Sequence, residues 1–175
     1  VRGPVQLTFA RSIDPIIPLD LSIVGPAQKA GEEAPRSGDD EAGDVHGTMG
    51  RKSLVPYGLY RAHGFFNAHF AKQTGADEQD LGSLWQALQM MWDLDRSSSR
   101  GMMSCRGLYV FSHDSSLGNA PTQTLFDLIR VERKEAVESP RLFSDYTVEV
   151  DGARVPAGVT LTRLDDGATD AFDLG

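Results

Sequence analysis

The chain has 175 residues, 40% of them hydrophobic, and its 17 basic and 25 acidic side chains give a net charge of -8. That is enough for one domain with a core and too little for two of ordinary size. No run approaches the ~18 consecutive apolar residues of a membrane helix, nothing at the start resembles a signal peptide, and the single cysteine, Cys105, excludes an internal disulfide, so a soluble cytoplasmic protein is expected.

The chain opens VRGPVQ, without Met and already inside an alternating pattern, so an N-terminal portion is expected to be missing. Val5, Leu7 and Phe9 alternate with Gln6, Thr8 and Ala10, the period of a strand with one buried face and one polar face. After the Pro-punctuated IDPIIPLDLSIV, residues 25–50 are rich in Gly, Ala, Pro, Asp and Glu. They hold almost no large apolar side chain to offset their ordering entropy by burial, and a flexible insertion is expected. Residues 54–66 read as extended chain, with Val55, Tyr57, Leu59, Arg61, His63 and Phe65 on one side and glycines 58 and 64 on the other; Pro56 marks an edge or a strand start.

Asp77 suits the N-cap of a helix running to about residue 93, with Leu81, Leu84, Trp85, Leu88, Met91 and Trp92 at helical spacing and expected in the core. RGLYVF at 106–111 reads as a strand, and Cys105 lies in the same strand-like run, expected as a buried, inert thiol rather than a catalytic nucleophile. A second helix is expected over 121–135, with Pro121 at its first position and Leu125, Phe126, Leu128 and Ile129 as its apolar face. YTVEV and GVTLTRL form two final strands on either side of DGARVP, and residues 165–175 form an acidic, frayed tail. This order fits an α+β fold, one antiparallel or mixed sheet with helices on one face, of which the ferredoxin-like architecture is the commonest small example.

Charge is distributed unevenly along these elements. Residues 25–50 carry two bases against six acids, whereas 51–76 contain Arg51, Lys52, Arg61 and Lys72 and no acid at all. Residues 77–95 then hold five acids and no base, and 96–113 return to positive through Arg96, Arg100 and Arg106. An acid-free basic stretch studded with aromatics, inside an acidic chain, suggests positive potential kept for a polyanion. Solvated faces of ordinary elements are the plainer alternative.

Catalytic arrangements are harder to assemble. His63, His69, His113 and Asp114 match no metal-ligand spacing, and His113, Asp114 and Ser112 or Ser115 are neighbours on a strand, where adjacent side chains point to opposite faces and cannot form a triad. No phosphate-binding or dinucleotide-binding glycine loop is present. No catalytic residue, metal or cofactor is expected.

Four blocks carry a more specific signal: RGPVQLTFARSIDPI at 2–16, MGRKSLVPYGLYRAHGF at 49–65, LGSLWQALQMMWDLDRSSSRGMMS at 81–104 and RGLYVFSHDSSLGNAP at 106–121. In this order they closely resemble the backbone subunit of type I-C CRISPR Cascade complexes, a member of the RAMP superfamily. The resemblance implies a modified ferredoxin-like or RNA-recognition-motif (RAMP) palm with inserted finger and thumb segments, so that residues 1–175 form a single partial RAMP domain. It also implies a subunit that polymerises along CRISPR RNA beside other Cascade subunits and holds the guide for pairing with target DNA. That family carries an earlier stretch with a motif like NGNPNGDP, which this sequence lacks. Residues 25–50 would be the thumb, with Met49 at its base as a wedge between bases.

A guide-holding protein needs phosphate donors and stacking or wedging groups rather than base-edge readers. Arg51, Lys52, Arg61, Arg96, Arg100 and Arg106 are suitable donors; Arg2 and Arg11 bracket the first strand, and Gln6 and Thr8 could bond phosphate or the 2′-hydroxyl. Tyr57 and His63 could lie against a sugar or base, although core packing suits them better. In a head-to-tail stack, the acidic 77–95 helix or the tail could meet the basic face of a neighbour. Related type III backbone subunits cleave RNA through a loop carboxylate, so a metal-dependent endoribonuclease using Asp14 or Asp44 is one alternative. A scaffold binding only protein is another.

Overall fold

The computed structural model describes residues 3–24, 49–98 and 100–164 and divides the chain into two units, residues 16–56 and residues 1–15 with 57–175. The insertion expected at 25–50 falls inside the smaller unit, but residues 25–48, like the tail, lie outside the described residues. In chain order the elements are β1 (Val5–Leu7), β2 (Arg11–Ser12), β3 (Leu19–Val24), β4 (Met49–Leu54), β5 (Tyr60–Arg61), β6 (Gly64–Phe66), α1 (Ala68–Thr74), α2 (Glu78–Leu94), β7 (Leu108–His113), α3 (Thr122–Phe126), β8 (Ile129–Arg133), β9 (Tyr146–Val150) and β10 (Val159–Leu164). Helix and strand are mixed, compatible with α+β. Instead of one sheet, the described strands form five two-stranded antiparallel ladders, β1–β6, β2–β5, β3–β4, β7–β10 and β8–β9.

In the smaller unit β3 and β4 pair from Leu19 opposite Leu54 to Val24 opposite Met49. Opposed residues share a face and neighbours alternate. Lys52 therefore lies among Leu19, Leu21, Ile23 and Leu54, and Arg51 lies with Asp20, Ser22 and Ser53 on the other face. Neither face is closed: Leu19, Leu21 and Ile23 are 42–50% exposed.

In the larger unit β1 and β2 run along β6 and β5 with a one-residue slip between them. Leu7 opposes Gly64 and Arg11 opposes Arg61, so residues 8–10 face only residues 62–63. Thr8 N–H donates to the His63 carbonyl at 2.8 Å, and His63 N–H donates to Thr8 Oγ1 at 3.0 Å. This is a β-bulge, with the extra residue thrown out after Thr8. The expected buried face of the first strand is not found: Val5 is half-buried and Leu7 is 59% exposed, and Phe9, beyond the start of the bulge, is 96% exposed. A bulge breaks the period of two, so alternation before it says nothing about the side chain it displaces.

α1 was not anticipated. Asn67 caps it, its side chain accepting from the backbone of His69 and Phe70, and Gly75 ends it at φ 76°, donating to the Ala71 carbonyl. α2 begins as expected at Asp77, which forms a capping box with Asp80: Asp80 N–H donates to Asp77 at 3.0 Å and Asp77 N–H to Asp80 at 3.1 Å. Asp77→Ala is expected to cost about 1 kcal/mol, read as a lowered thermal midpoint, because it strips one end of this box. The apolar stripe of α2 is less covered than its spacing implies. Leu81, Leu84, Trp85 and Leu88 are half-buried, whereas Met91 and Trp92 are 37% and 39% exposed. With Pro4, Val5 and Phe66, Leu81 and Leu84 line a groove of about 300 Å³.

The expected helix over 121–135 is corrected to a short α3 followed by strand β8, and Pro121 stands at the N-cap rather than the first helical position. Leu125, Phe126, Leu128 and Ile129 match a helical face, but from Ile129 onward Ile-Arg-Val-Glu-Arg alternates branched and charged residues, and pairing with β9 wins. β9 and β10 lie where expected, each paired with an earlier strand. The buried core gathers Ala71, Leu125, Leu128, Ile129, Tyr146 and Leu164. Cys105 is half-buried in the irregular stretch before β7 rather than in a strand.

Candidate nucleic-acid interface

The candidate residues fall in both units. Met49, Arg51 and Lys52 belong to the β3–β4 hairpin, where Arg51 and Lys52 are exposed on opposite faces and form no ion pair with any described residue. Because they are strand neighbours, one phosphate cannot engage both from the same side. Met49 opposes Val24 at the end of this ladder.

In the larger unit Gln6, Thr8, Arg11, Tyr57, Arg61, His63, Arg96, Arg100 and Arg106 divide by what their side chains already do. Arg61 is a brace. Its guanidinium donates to the Ile129 carbonyl at 3.0 Å and to the Phe126 carbonyl at 2.8 Å, satisfying oxygens where α3 ends and β8 begins. His63 stacks on Phe126 with ring centroids 4.2 Å apart, and Phe65 meets the same ring at 5.9 Å. Burial, aided by the Arg61 charge, pushes the His63 pKa down, and its Nε2 is buried without a hydrogen-bond partner. Tyr57 stacks against Tyr146 at 6.4 Å, and burial pushes its pKa up, Arg106 opposing and Asp145 adding to the rise. Tyr57, Arg61 and His63 are half-buried, as is Leu59, but Val55 and Phe65, expected on the same side, are 47% and 43% exposed, so alternation indicated only the middle of that side.

The remaining residues are more open. Arg11 is exposed, directly opposite Arg61, and forms no ion pair with a described residue. Gln6 is exposed, and Thr8 has one lone pair engaged by His63 N–H. Arg106 is exposed, its guanidinium 5.5 Å from the Phe143 ring centroid. Arg96 and Arg100 follow α2 and pair with its acidic end: Arg96 donates to the Asp93 carbonyl at 2.8 Å and lies 3.9 Å from its carboxylate, and Arg100 pairs with Asp95. All four side chains are more than half exposed, so these pairs hold the arginines weakly. Arg2 lies outside the described residues.

The side chains considered for catalysis are dispersed. His113 Nδ1 accepts from Asn119 N–H at 2.9 Å, closing the turn after β7, where the same asparagine packs within 2.5 Å of where a Cβ on Gly158 would lie. Asp14 sits 3.6 Å from Arg133, and Asp44 lies outside the described residues. Among the described residues no three His, Cys, Asp or Glu side chains are grouped to hold a metal ion. No described helix is long and apolar enough to cross a membrane.

No curated protein matches the chain. A family model, that of CRISPR-associated protein Cas7, matches residues 1–151. The match spans the bulged first strand, the hairpin, the acid-free stretch, α2 and the ladder of β8 with β9. With so much of its length under one family model, the chain belongs to the Cas7 family, the RAMP-type backbone subunits of CRISPR complexes.

Proposed function

We propose that the chain binds guide (CRISPR) RNA without regard to sequence and stacks copy upon copy along it, as a backbone subunit of a type I-C Cascade. The palm would be of the modified ferredoxin-like kind, the role structural rather than enzymatic, and the setting cytoplasmic. Copies of itself and other Cascade subunits would be its protein partners, and target DNA would be met by pairing with the guide. The supporting observation is that the candidate cations Arg11, Arg51 and Lys52 are exposed and form no ion pair with a described residue, in a chain of net charge -8 that belongs to this family. An exposed cation that is not held in an ion pair is available to a phosphate at little cost in desolvation or broken pairs. Their positions on strands suit backbone contact, because a strand presents side chains at regular intervals along one direction.

The test is the affinity for CRISPR RNA measured across a salt series. The wild-type affinity is expected to fall steeply as salt rises, and Arg51→Ala and Lys52→Ala are each expected to reduce the slope of log affinity against log salt by about 0.7, the single-strand value for one phosphate contact. No measurable RNA binding by the wild type at any salt concentration would instead indicate a scaffold that binds only protein.

A further inference from the structure

The bulge places an aromatic ring where a core residue was expected. Phe9 is 96% exposed, the most exposed of the large hydrophobic side chains described in this chain. It lies between Thr8, fixed to His63 by hydrogen bonds in both directions, and Arg11, which opposes Arg61 across the β2–β5 ladder. Like charges directly opposite one another weaken a ladder. Here Arg61 is held by the carbonyls of Phe126 and Ile129, while Arg11 has no ion pair with a described residue. A fully exposed phenyl ring two residues from such a cation combines the two groups that single-stranded nucleic acid engages, a π-face for a base and a charge for its phosphate. The anchoring of Thr8 lowers the freedom the ring must give up on binding.

We propose that Phe9 is a base-stacking residue and that Arg11 holds the adjoining phosphate, so that the bulge between β1 and β2 takes one nucleotide of a single-stranded RNA. This rests on the reading of the chain as an RNA-binding subunit and adds a contact to it. Stacking is indifferent to base identity, since every base has a π-face, and so it suits a protein that must hold any guide. Bulges commonly re-aim a side chain in this way beside a functional site.

The experiment uses the full chain and a single-stranded RNA carrying 2-aminopurine, titrated at several salt concentrations. Phe9→Ala is expected to weaken binding roughly 5- to 150-fold, the range of one base–aromatic stack, with the salt slope unchanged. It should also lose the 2-aminopurine quenching that the wild type shows, and Phe9→Trp should restore both. Arg11→Ala is expected to keep the quenching and lower the slope by about 0.7. Because Phe9 is exposed, Phe9→Ala should leave the thermal midpoint unchanged, so a loss of binding cannot be assigned to unfolding. Wild-type affinity and quenching in Phe9→Ala would overturn the proposal and leave the RNA-binding reading standing. A defect of Phe9→Ala confined to self-association would also overturn it, by assigning the ring to a protein contact. Failure of the wild type to bind RNA would remove both readings.

Discussion

Arg61→Ala is expected to lower the free energy of unfolding by about 2–4 kcal/mol, the scale of two charge-assisted hydrogen bonds lost together from a half-buried site. The guanidinium spans 3.0 Å to the Ile129 carbonyl and 2.8 Å to the Phe126 carbonyl, bonds that cross 68 and 65 residues of sequence. Truncation would leave both oxygens without this donor at the junction of α3 and β8, beside the buried Leu125, Leu128 and Ile129. Arg61→Lys should recover only part of the loss, since one ammonium on a flexible stem cannot reproduce a planar fork aimed at two acceptors. Urea unfolding measures the effect directly. A second readout separates a brace from an RNA contact: if Arg61 serves the fold, Arg61→Ala protein that remains folded keeps the wild-type salt dependence of RNA binding, whereas loss of a phosphate ligand would lower the slope by about 0.7. Unchanged urea midpoints for both variants would refute the structural role.

Arg61 illustrates what the sequence could convey. Its place in an acid-free stretch marked it as a candidate phosphate donor, and nothing local distinguishes an arginine aimed at solvent from one aimed at carbonyls some 65 residues away. Charge patterning reports where cations are in the chain but not which of them already have an acceptor. By the same reasoning Arg11, Arg51 and Lys52 were legible only as charges, and their lack of ion pairs with described residues emerged from the register of β2 with β5 and of β3 with β4. Tyr57 and His63 were read more closely, since alternation placed them with Arg61 on one side, and they pack there against Tyr146 and Phe126.

The elements most legible in the sequence were those with a local cause. α2 follows from Asp77, Asp80 and a 3.6-residue stripe, all within one segment, and the same kind of signal was available for α1 in Asn67 and Gly75. Its seven residues are too few for an apolar stripe of helical period to stand out, which leaves the caps as its only local mark. Errors arose where tertiary pairing decided. Ile129 continued a helical apolar face from Leu125 and Leu128, yet its partner Val150 lies in β9, and the ladder from Ile129 to Arg133 overrides a short helix that could gain few hydrogen bonds of its own. The bulge after Thr8 is likewise invisible to periodicity, because it depends on the register against β5 and β6, far along the chain.

Tyr146→Phe is expected to cost about 1–3 kcal/mol at neutral pH and to change the alkaline limit of stability. Tyr146 is only 6% exposed, pairs with Arg133 at the end of the β8–β9 ladder, and lies with its hydroxyl against the Asp14 carboxylate. One oxygen of that carboxylate is 3.6 Å from Arg133, and the other is buried without a hydrogen-bond partner. The first segment of the larger unit is thereby tied to the β8–β9 hairpin through Asp14. Removing the phenol deprives Asp14 of a neighbouring donor and leaves a carboxylate that Arg133 alone must compensate. Burial, reinforced by the neighbouring Asp14 carboxylate and by Tyr57, pushes the Tyr146 pKa up to about 12, Arg133 opposing. The sign follows from proton binding. Above the unfolded pKa of about 10 the unfolded chain releases the tyrosine proton while the folded chain keeps it, so this contribution is complete below pH 10 and lost as pH rises through about 12. Its slope is at most about 1.4 kcal/mol per pH unit. Unfolding free energies measured from pH 9 to 12 should fall more steeply for the wild type than for Tyr146→Phe, since the variant has no phenol to ionise there. Asp14→Asn should also flatten the decline, because it removes the carboxylate that would repel the ionised ring. Parallel alkaline declines for wild type and both variants would place the titration elsewhere in the chain and dissociate Tyr146 from the Asp14 contact.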